Sequence, residues 1–131
     1  MRPAFIIHEK LPGFNEYESA CRAAWAVGAK MKRETKESIA WAIKAQKVRK
    51  YWNPVRIKFR WHEPPNAKGR YRDPDNIASA KKYILDAMTA TLVIHDDDRS
   101  HVIGFEDEFR WEKKGENYGV EVFIEEIERG W

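Results

Sequence analysis

Alternation of apolar and polar residues is the clearest pattern along this chain, and it marks four candidate β-strands. In residues 55–61, apolar side chains alternate with basic ones, a period of two that is typical of a half-buried strand. Shorter or less regular runs at residues 4–8, 103–111 and 118–127 also predict strands. The turn-like residues 113–117 separate the last two runs, so we expect those runs to pair as a C-terminal hairpin.

Two regions repeat apolar residues at the 3.6-residue period of an α-helix, residues 17–50 and residues 77–90. Asn15 is a candidate N-cap for the first region, and Glu18 stands three residues later, where a capping box has an acid. Gly28 is a candidate break within it. Strands and helices together predict an α+β fold, in which a small mixed or antiparallel sheet packs against helices.

The polar side of the first long strand is entirely basic, with Arg56, Lys58 and Arg60. Such a stripe could follow a DNA backbone. However, the last predicted strand carries Glu121 and Glu125 on its polar side. If the two strands pair, opposite charges face each other across the ladder. We therefore favour a structural role for the basic stripe over a role in DNA binding.

Length and composition narrow the class of protein. The 131 residues predict a single domain covering residues 1–131. The formal net charge is only +3, so a nucleic-acid surface would require segregated charge. Cys21 is the only cysteine, which excludes an intramolecular disulfide and fits a reducing cytosol. The sequence has no apolar run of the ~20 residues that a membrane span needs, and we expect a soluble cytoplasmic protein without a membrane partner.

Two acidic clusters bracket the second predicted helix, with Asp73 and Asp75 before it and Asp96, Asp97 and Asp98 after it. Carboxylates at i and i+2 that meet a further acid suit Mg²⁺, which prefers a few carboxylate ligands and keeps positions for water and phosphate. Adjacent aspartates repel one another, so a cation should offset their charge. By spacing alone, metal-assisted phosphate chemistry and a structural turn with Asp75 as helix N-cap remain about equally open.

Several familiar sites are absent from the sequence. It contains neither a G-x-x-x-x-G-K-[ST] loop nor a G-x-G-x-x-G fingerprint, so we expect no nucleotide cofactor. The acidic triplet does not continue as a calcium-binding EF-hand, because His101 stands in place of the glycine and Asp107 in place of the glutamate.

A lysine within the second predicted helix is placed to face the acidic clusters. At ~100° per residue, Lys82 lies on the same side as Asp75, whereas Lys81 lies at the edge of the apolar stripe. Lys82 is therefore the better candidate for a cationic partner of the site. Its structural alternative is an i,i+4 pair with Asp86.

The residues Arg72–Asn76, Leu85–Met88 and Asp96–Asp98, in this order and spacing, resemble the pattern of RusA-like Holliday junction resolvases. Residues 11–17 and 28–33 also resemble the phage and prophage branch of that family. The resemblance implies a homodimeric endonuclease that cuts paired strands of a four-way DNA junction and depends on Mg²⁺, with Mn²⁺ as a possible substitute. It also implies a role in DNA recombination and repair in a bacterial host.

Carried onto this sequence, the resemblance makes Asp73 and Asp75 the first two essential acids. The third falls in the acidic triplet, where Asp97 aligns best and Asp96 and Asp98 are alternatives. The family lysine usually lies four residues after the second aspartate, but that position is Ser79 in this chain. Counting back from the Leu85–Met88 signature selects Lys82, with Lys81 as the alternative.

A set of basic residues is expected to contact DNA phosphates: Lys30, Lys32, Arg33, Lys68, Arg70 and Arg72. For the run at residues 30–33, a solvated helix face is the more common outcome. Two other classes of function stay open beside the resolvase. One is a protein that binds branched DNA without cutting it, and the other is a metal-dependent hydrolase of small phosphate esters or nucleotides.

Overall fold

A four-stranded mixed sheet and four helical segments form the fold of residues 1–128, the part of the chain that the computed structural model describes. The strands are β1 (Phe5–Ile7), β2 (Val55–Glu63), β3 (Val102–Trp111) and β4 (Gly119–Glu126). The helices are α1 (Phe14–Ala23), α2 (Trp25–Ala45), α3 (Pro74–Ala78) and α4 (Lys81–Ala90). The predicted α+β class, with a mixed sheet packed against helices, is confirmed.

The strands are arranged in the order β1-β4-β2-β3, with β2 parallel to β3 and antiparallel to β4. The predicted hairpin between the last two strands is therefore wrong, because β2 lies between them. In a hairpin of β3 and β4, the acidic sides of both strands would face each other. The basic side of β2, placed between them, removes that repulsion and supplies opposite charges to both neighbours.

The charge ladder around β2 confirms that opposite charges face each other across the paired strands. Arg56 is opposite Glu125 and Arg60 is opposite Glu121 in the antiparallel register. The Arg60 guanidinium also donates a hydrogen bond to Glu108 on β3. This hydrogen bond raises the Arg60 pKa and lowers the Glu108 pKa from 4.5 to about 2. The contacts support the structural role predicted for the basic stripe.

The other face of β2 forms the centre of the hydrophobic core. Its four apolar side chains are at most 2 % exposed and belong to one cluster with side chains of α2 and α4. Burial of each large apolar side chain contributes roughly 1.5–3 kcal/mol. The members from β2, α2 and α4 include Val55, Ile57, Phe59, Trp61, Ile39, Ile43, Ile84 and Met88. This shared core fixes α4, and with it the acidic clusters, relative to the sheet.

The long N-terminal helical region breaks at Ala24, not at Gly28 as predicted. Ala24 has an extended backbone, with φ −168° and ψ 143°, between α1 and α2. Gly28 is buried inside α2, where an added Cβ would lie 2.2 Å from the Cys21 Sγ. The glycine therefore permits close packing of the two helices instead of ending one.

The start of α1 also differs from the prediction. Gly13 is the N-cap, and the acid of its capping box is Glu16, which accepts a hydrogen bond from the Gly13 N–H at 2.9 Å. Asn15 and Glu18 both lie inside the helix. Asn76 of α3 and Ser79, directly after α3, supply acceptors for the next two N–H groups of α1.

The predicted helix at residues 77–90 is divided into α3 and α4 by a tight turn at Ser79 and Ala80. The Ser79 hydroxyl donates a hydrogen bond to the Asn76 carbonyl at 2.6 Å, a local alternative to helix continuation. Within residues 1–128, no helix combines the length and the apolar character needed to cross a membrane.

Candidate functional site

Asp73 and Asp75 stand exposed at the beginning of α3. Asp73 occupies the N-cap position, Pro74 follows it, and Asp75 lies in the first turn. The structural alternative, in which Asp75 is the helix N-cap, is therefore not what the structure shows. Within residues 1–128, neither aspartate side chain takes part in a hydrogen bond or an ion pair. Their carboxylate oxygens remain available to a ligand from outside the chain.

Arg72, directly before this pair, faces the protein instead of solvent. Its Nε and one terminal nitrogen donate to the two carboxylate oxygens of Glu63 at 2.6 and 2.8 Å. The other terminal nitrogen donates to the Leu11 carbonyl at 3.0 Å and to Glu16. Burial opposes the charged guanidinium, but these hydrogen bonds outweigh it and raise the Arg72 pKa.

This arrangement changes the interpretation of Arg72. Each of its three guanidinium nitrogens is used within the protein, and Glu63 is itself only 3 % exposed. A buried carboxylate needs such a partner, because an unpaired buried charge is strongly destabilising. Arg72 therefore supports the segment that carries Asp73 and Asp75, and we do not include it in the proposed DNA surface.

Hydrogen bonds of Asn76 and Ser79 join the segment that carries Asp73 and Asp75 to the start of α1. The Asn76 side chain accepts from the Asn15 N–H at 2.9 Å and donates to Glu16 at 3.0 Å. Ser79 Oγ accepts from the Phe14 N–H at 2.7 Å. Burial raises the Glu16 pKa, but hydrogen bonds from Asn76 and the other donors outweigh it and lower the pKa overall. Two segments about sixty residues apart in the chain thus form one rigid unit.

The three aspartates of the second cluster have different surroundings. Asp98 accepts four hydrogen bonds from Ser100 and His101, and its hydrogen bond with His101 is the main reason that its pKa falls to about 2. Asp96 accepts from the Asp97 N–H at 2.7 Å. Asp97 alone of the three receives a hydrogen bond from α4. Its proposed role as the third acid stays a prediction.

Lys82 joins Asp97 to Asp86. Its Nζ lies 2.9 Å from an Asp97 carboxylate oxygen and 3.1 Å from one of Asp86. The hydrogen bond with Asp97 is the main cause that raises the Lys82 pKa, and the same bond lowers the pKa of Asp97. Both contacts anticipated for Lys82 are therefore present, the acidic cluster and the i,i+4 pair. The Lys82 ammonium is therefore the cation that offsets the charge of Asp97 in this structure.

The Lys81 side chain contacts β3 instead of the acidic clusters. Its Nζ donates to Asp107 on β3 at 2.8 Å and lies 4.7 Å from the centroid of the Phe105 ring. Asp107 also accepts from the Trp61 indole N–H at 2.9 Å. Sequence reasoning missed this pair, because nothing in the spacing shows that β3 lies parallel to β2 and brings Asp107 next to Phe59.

The predicted metal ligands are not gathered at one point. Within residues 1–128, no three His, Cys, Asp or Glu side chains converge closely enough to hold a metal ion. Asp73 and Asp75 fit a hard divalent cation by donor type and by availability, since carboxylate oxygens suit Mg²⁺ and Mn²⁺. One carboxylate oxygen of Asp97 accepts from the Lys82 ammonium, so a metal at Asp97 would share this carboxylate with Lys82 or displace it.

A basic cleft lies between α2 and α4, which pack against each other. Lys32 lines a cavity of about 180 Å³ together with Lys82. Lys36, one helical turn after Lys32, lines a neighbouring cavity of about 270 Å³ with Lys82, Asp86 and Asp97. Neither Lys32 nor Lys36 forms an ion pair with another residue in the described part of the chain. Lys36 was missed by sequence reasoning, although its i,i+4 spacing from Lys32 could have identified it.

The other predicted basic residues are distributed around the molecule. Lys30 lies about 200° around α2 from Lys32 and is 3.8 Å from Glu34, so it faces away from the cleft. Arg33 is exposed on α2. Lys68 and Arg70 are exposed on the loop before α3. The backbone N–H groups of both residues donate to the side-chain oxygen of Asn66, each at 2.9 Å.

No protein-family model matches this chain, and no curated protein is similar enough to match it. The resemblance to RusA-like resolvases therefore depends on the sequence motifs alone.

Proposed function

We propose that this chain is a divalent-metal-dependent endonuclease that hydrolyses phosphodiester bonds of branched DNA, with four-way junctions as its substrate. The observation that carries the proposal is the availability of the Asp73 and Asp75 carboxylates. Both carboxylates are exposed and uncommitted, while Arg72, Asn76 and Ser79 hold the backbone beneath them in a network of hydrogen bonds. Such a support fixes ligand positions without using the ligands themselves.

Asp73 and Asp75 would hold Mg²⁺ or Mn²⁺, with Asp97 as the third acid. The bound metal would supply an activated water and would offset negative charge on the phosphate. Lys82 would stabilise charge that develops on the phosphate oxygens. Its ammonium now pairs with Asp86 and Asp97, so an incoming phosphate would compete with these carboxylates for it.

The basic cleft and the exposed loop would bind the DNA backbone. Lys32 and Lys36 lie beside Lys82 without an ion-pair partner among residues 1–128, and Lys68 and Arg70 extend from the loop before α3. Phosphate contacts of this kind release counterions, so junction affinity should fall as salt rises. A homodimer would present two equivalent sites to two equivalent strands of the junction. We propose that it acts in recombination and repair in the bacterial cytoplasm.

A direct test incubates purified protein with a labelled four-way junction, a linear duplex of the same sequence and a nucleotide. Each is tested with Mg²⁺, with Mn²⁺ and with EDTA. The proposal expects symmetric nicks in the junction only, in the presence of a metal. Hydrolysis of the nucleotide alone, or no product at any metal concentration, would contradict it.

A protein that binds branched DNA without cutting it is a second candidate, and one observation favours it. Lys82 already neutralises Asp97, so this carboxylate does not need a metal for charge balance. This alternative predicts junction binding that is unchanged by EDTA and never followed by cleavage.

A further inference from the structure

An aromatic cavity with a cationic rim lies where α1, α2 and α4 meet. Its volume is about 180 Å³. Three aromatic side chains and two lysines line it together with a serine, namely Phe14, Tyr17, Tyr83, Lys32, Lys82 and Ser79. Its apolar walls and basic rim match a ligand that combines a flat ring with a negative charge.

Among the three aromatic residues of the cavity, Phe14 is 58 % exposed although its backbone is held by hydrogen bonds. Its N–H donates to Ser79 Oγ at 2.7 Å, and the N–H of the next residue, Asn15, donates to Asn76 at 2.9 Å. Tyr83, in contrast, is only 8 % exposed and forms a buried part of the wall. A ring presented to solvent on a fixed backbone loses little conformational freedom when it stacks on a ligand.

The charges around the cavity select an anionic ligand. Lys32 forms no ion pair within residues 1–128, and Lys82 belongs both to this cavity and to the neighbouring one that contains Lys36 and Asp97. A chain of phosphates that leaves the first cavity over Lys82 would thus run directly toward the acidic cluster. An uncharged apolar ligand would leave the Lys32 ammonium without a partner among residues 1–128, whereas Lys82 keeps its contacts with Asp86 and Asp97.

We propose that this cavity is a nucleobase subsite. It takes one base unstacked from DNA against the Phe14 ring, with an adjacent phosphate between Lys32 and Lys82. The inference rests on the proposed function and adds to it the feature of the substrate that the protein would recognise, an unpaired or easily unstacked base beside the bond to be cut. Stacking on an aromatic ring tolerates any base, so the subsite would recognise structure instead of sequence.

The test measures binding in EDTA, so that it does not depend on cleavage. The probe is a short single strand in which 2-aminopurine is the only base and the other positions are abasic, and a fully abasic strand is the reference. The subsite predicts that wild-type protein binds the probe more tightly than the reference and changes its fluorescence. Phe14→Ala should weaken probe binding about 5- to 150-fold, the range expected for one lost base–aromatic stack, and should leave binding of the abasic strand unchanged.

Two further variants make the test specific. Phe14→Trp keeps a stacking surface and should restore the fluorescence change. Trp41→Ala removes an aromatic side chain that is 70 % exposed on α2 but does not line the cavity, and it should bind the probe like wild type. Thermal unfolding of each variant shows whether the fold is intact.

The outcomes separate this inference from the proposed nuclease. Equal affinity of wild type and Phe14→Ala for the probe would overturn the subsite, even if junctions are still cut. Base-dependent binding without any junction cleavage would support the subsite and contradict the nuclease. If Phe14→Ala instead abolishes self-association in sedimentation, with probe binding unchanged, the cavity binds a second copy of the chain and the proposal is wrong.

Discussion

At the scale of single residues, the ammonium of Lys82 separates two carboxylates that would otherwise repel each other. It lies about 3 Å from both Asp86 and Asp97. Repulsion between the adjacent aspartates could be anticipated from the sequence, and so could Lys82 as the nearest cation. The sequence does not show, however, that this lysine satisfies the third proposed metal ligand before any metal arrives.

Replacement of Lys82 therefore gives a first prediction. Lys82→Met should raise the pKa of Asp97, because the hydrogen bond from Lys82 is the main cause that lowers it. Carboxyl ¹³C chemical shifts, followed in a pH titration, would report the change. Lys81→Met is the matched control, since Lys81 pairs with Asp107 and its removal should leave Asp97 unaffected. An unchanged Asp97 titration in Lys82→Met would disprove the pairing.

Gly13 gives a second prediction at this scale. An added Cβ would lie 2.2 Å from the backbone oxygen of Asn76. Movement of this oxygen would disturb the hydrogen bonds that join α1 to α3. Gly13→Ala should therefore lower the free energy of unfolding by about 1–3 kcal/mol, as overpacking usually does. Gly104→Ala is the control, because its nearest neighbour is the end of the Arg56 side chain at 3.4 Å. Urea unfolding that shows equal stability for both variants would contradict the account.

At the scale of secondary-structure elements, the basic strand β2 organises the sheet. It lies between β3 and β4, which both carry acids on the outer face, and each pairing sets opposite charges side by side. The stabilisation that this charge ladder provides depends on pH. The Glu108 pKa is lowered from 4.5 to about 2, mainly by the hydrogen bond from Arg60, so Glu108 is protonated at a lower pH in the folded state than in the unfolded state.

The sign of this shift sets a third prediction. Stabilisation by the Glu108 carboxylate is fully present above about pH 4.5 and is lost as the pH falls toward 2. Glu108→Gln should therefore reduce the dependence of the unfolding free energy on pH between these values, as measured by urea unfolding at a series of pH values. Glu37→Gln, which removes an exposed carboxylate outside the ion pairs described for residues 1–128, should keep the wild-type dependence.

The strands could be predicted from the sequence, but their order could not. Period-two alternation identifies β2 because one of its faces lies in the core. The hairpin prediction failed since short connections usually join neighbouring strands, and that general tendency outweighed the charges. The acidic sides of β3 and β4 were visible in the sequence, and comparing them would have favoured a basic strand between the two.

At the scale of the whole molecule, the candidate site is assembled from segments far apart in the chain. Arg72 reaches Glu63, Glu16 and Leu11, so the loop before α3 is tied to both β2 and the N-terminal segment. The exposed aspartates could be predicted from their motif. The inward direction of Arg72, the contribution of Lys36 and the cavity around Phe14 could not, because each depends on how the helices pack.

If Asp73 and Asp75 hold the metal for junction cleavage, Asp75→Asn should separate DNA binding from DNA cleavage. Wild-type and variant proteins are incubated with a labelled four-way junction and Mg²⁺, and binding is measured in parallel without metal. The account predicts symmetric nicks by wild type, and binding without cleavage by Asp75→Asn, since an amide keeps the shape but loses the charge that a metal requires. Cleavage by Asp75→Asn at the wild-type rate, or no cleavage by wild type at any Mg²⁺ or Mn²⁺ concentration, would contradict it.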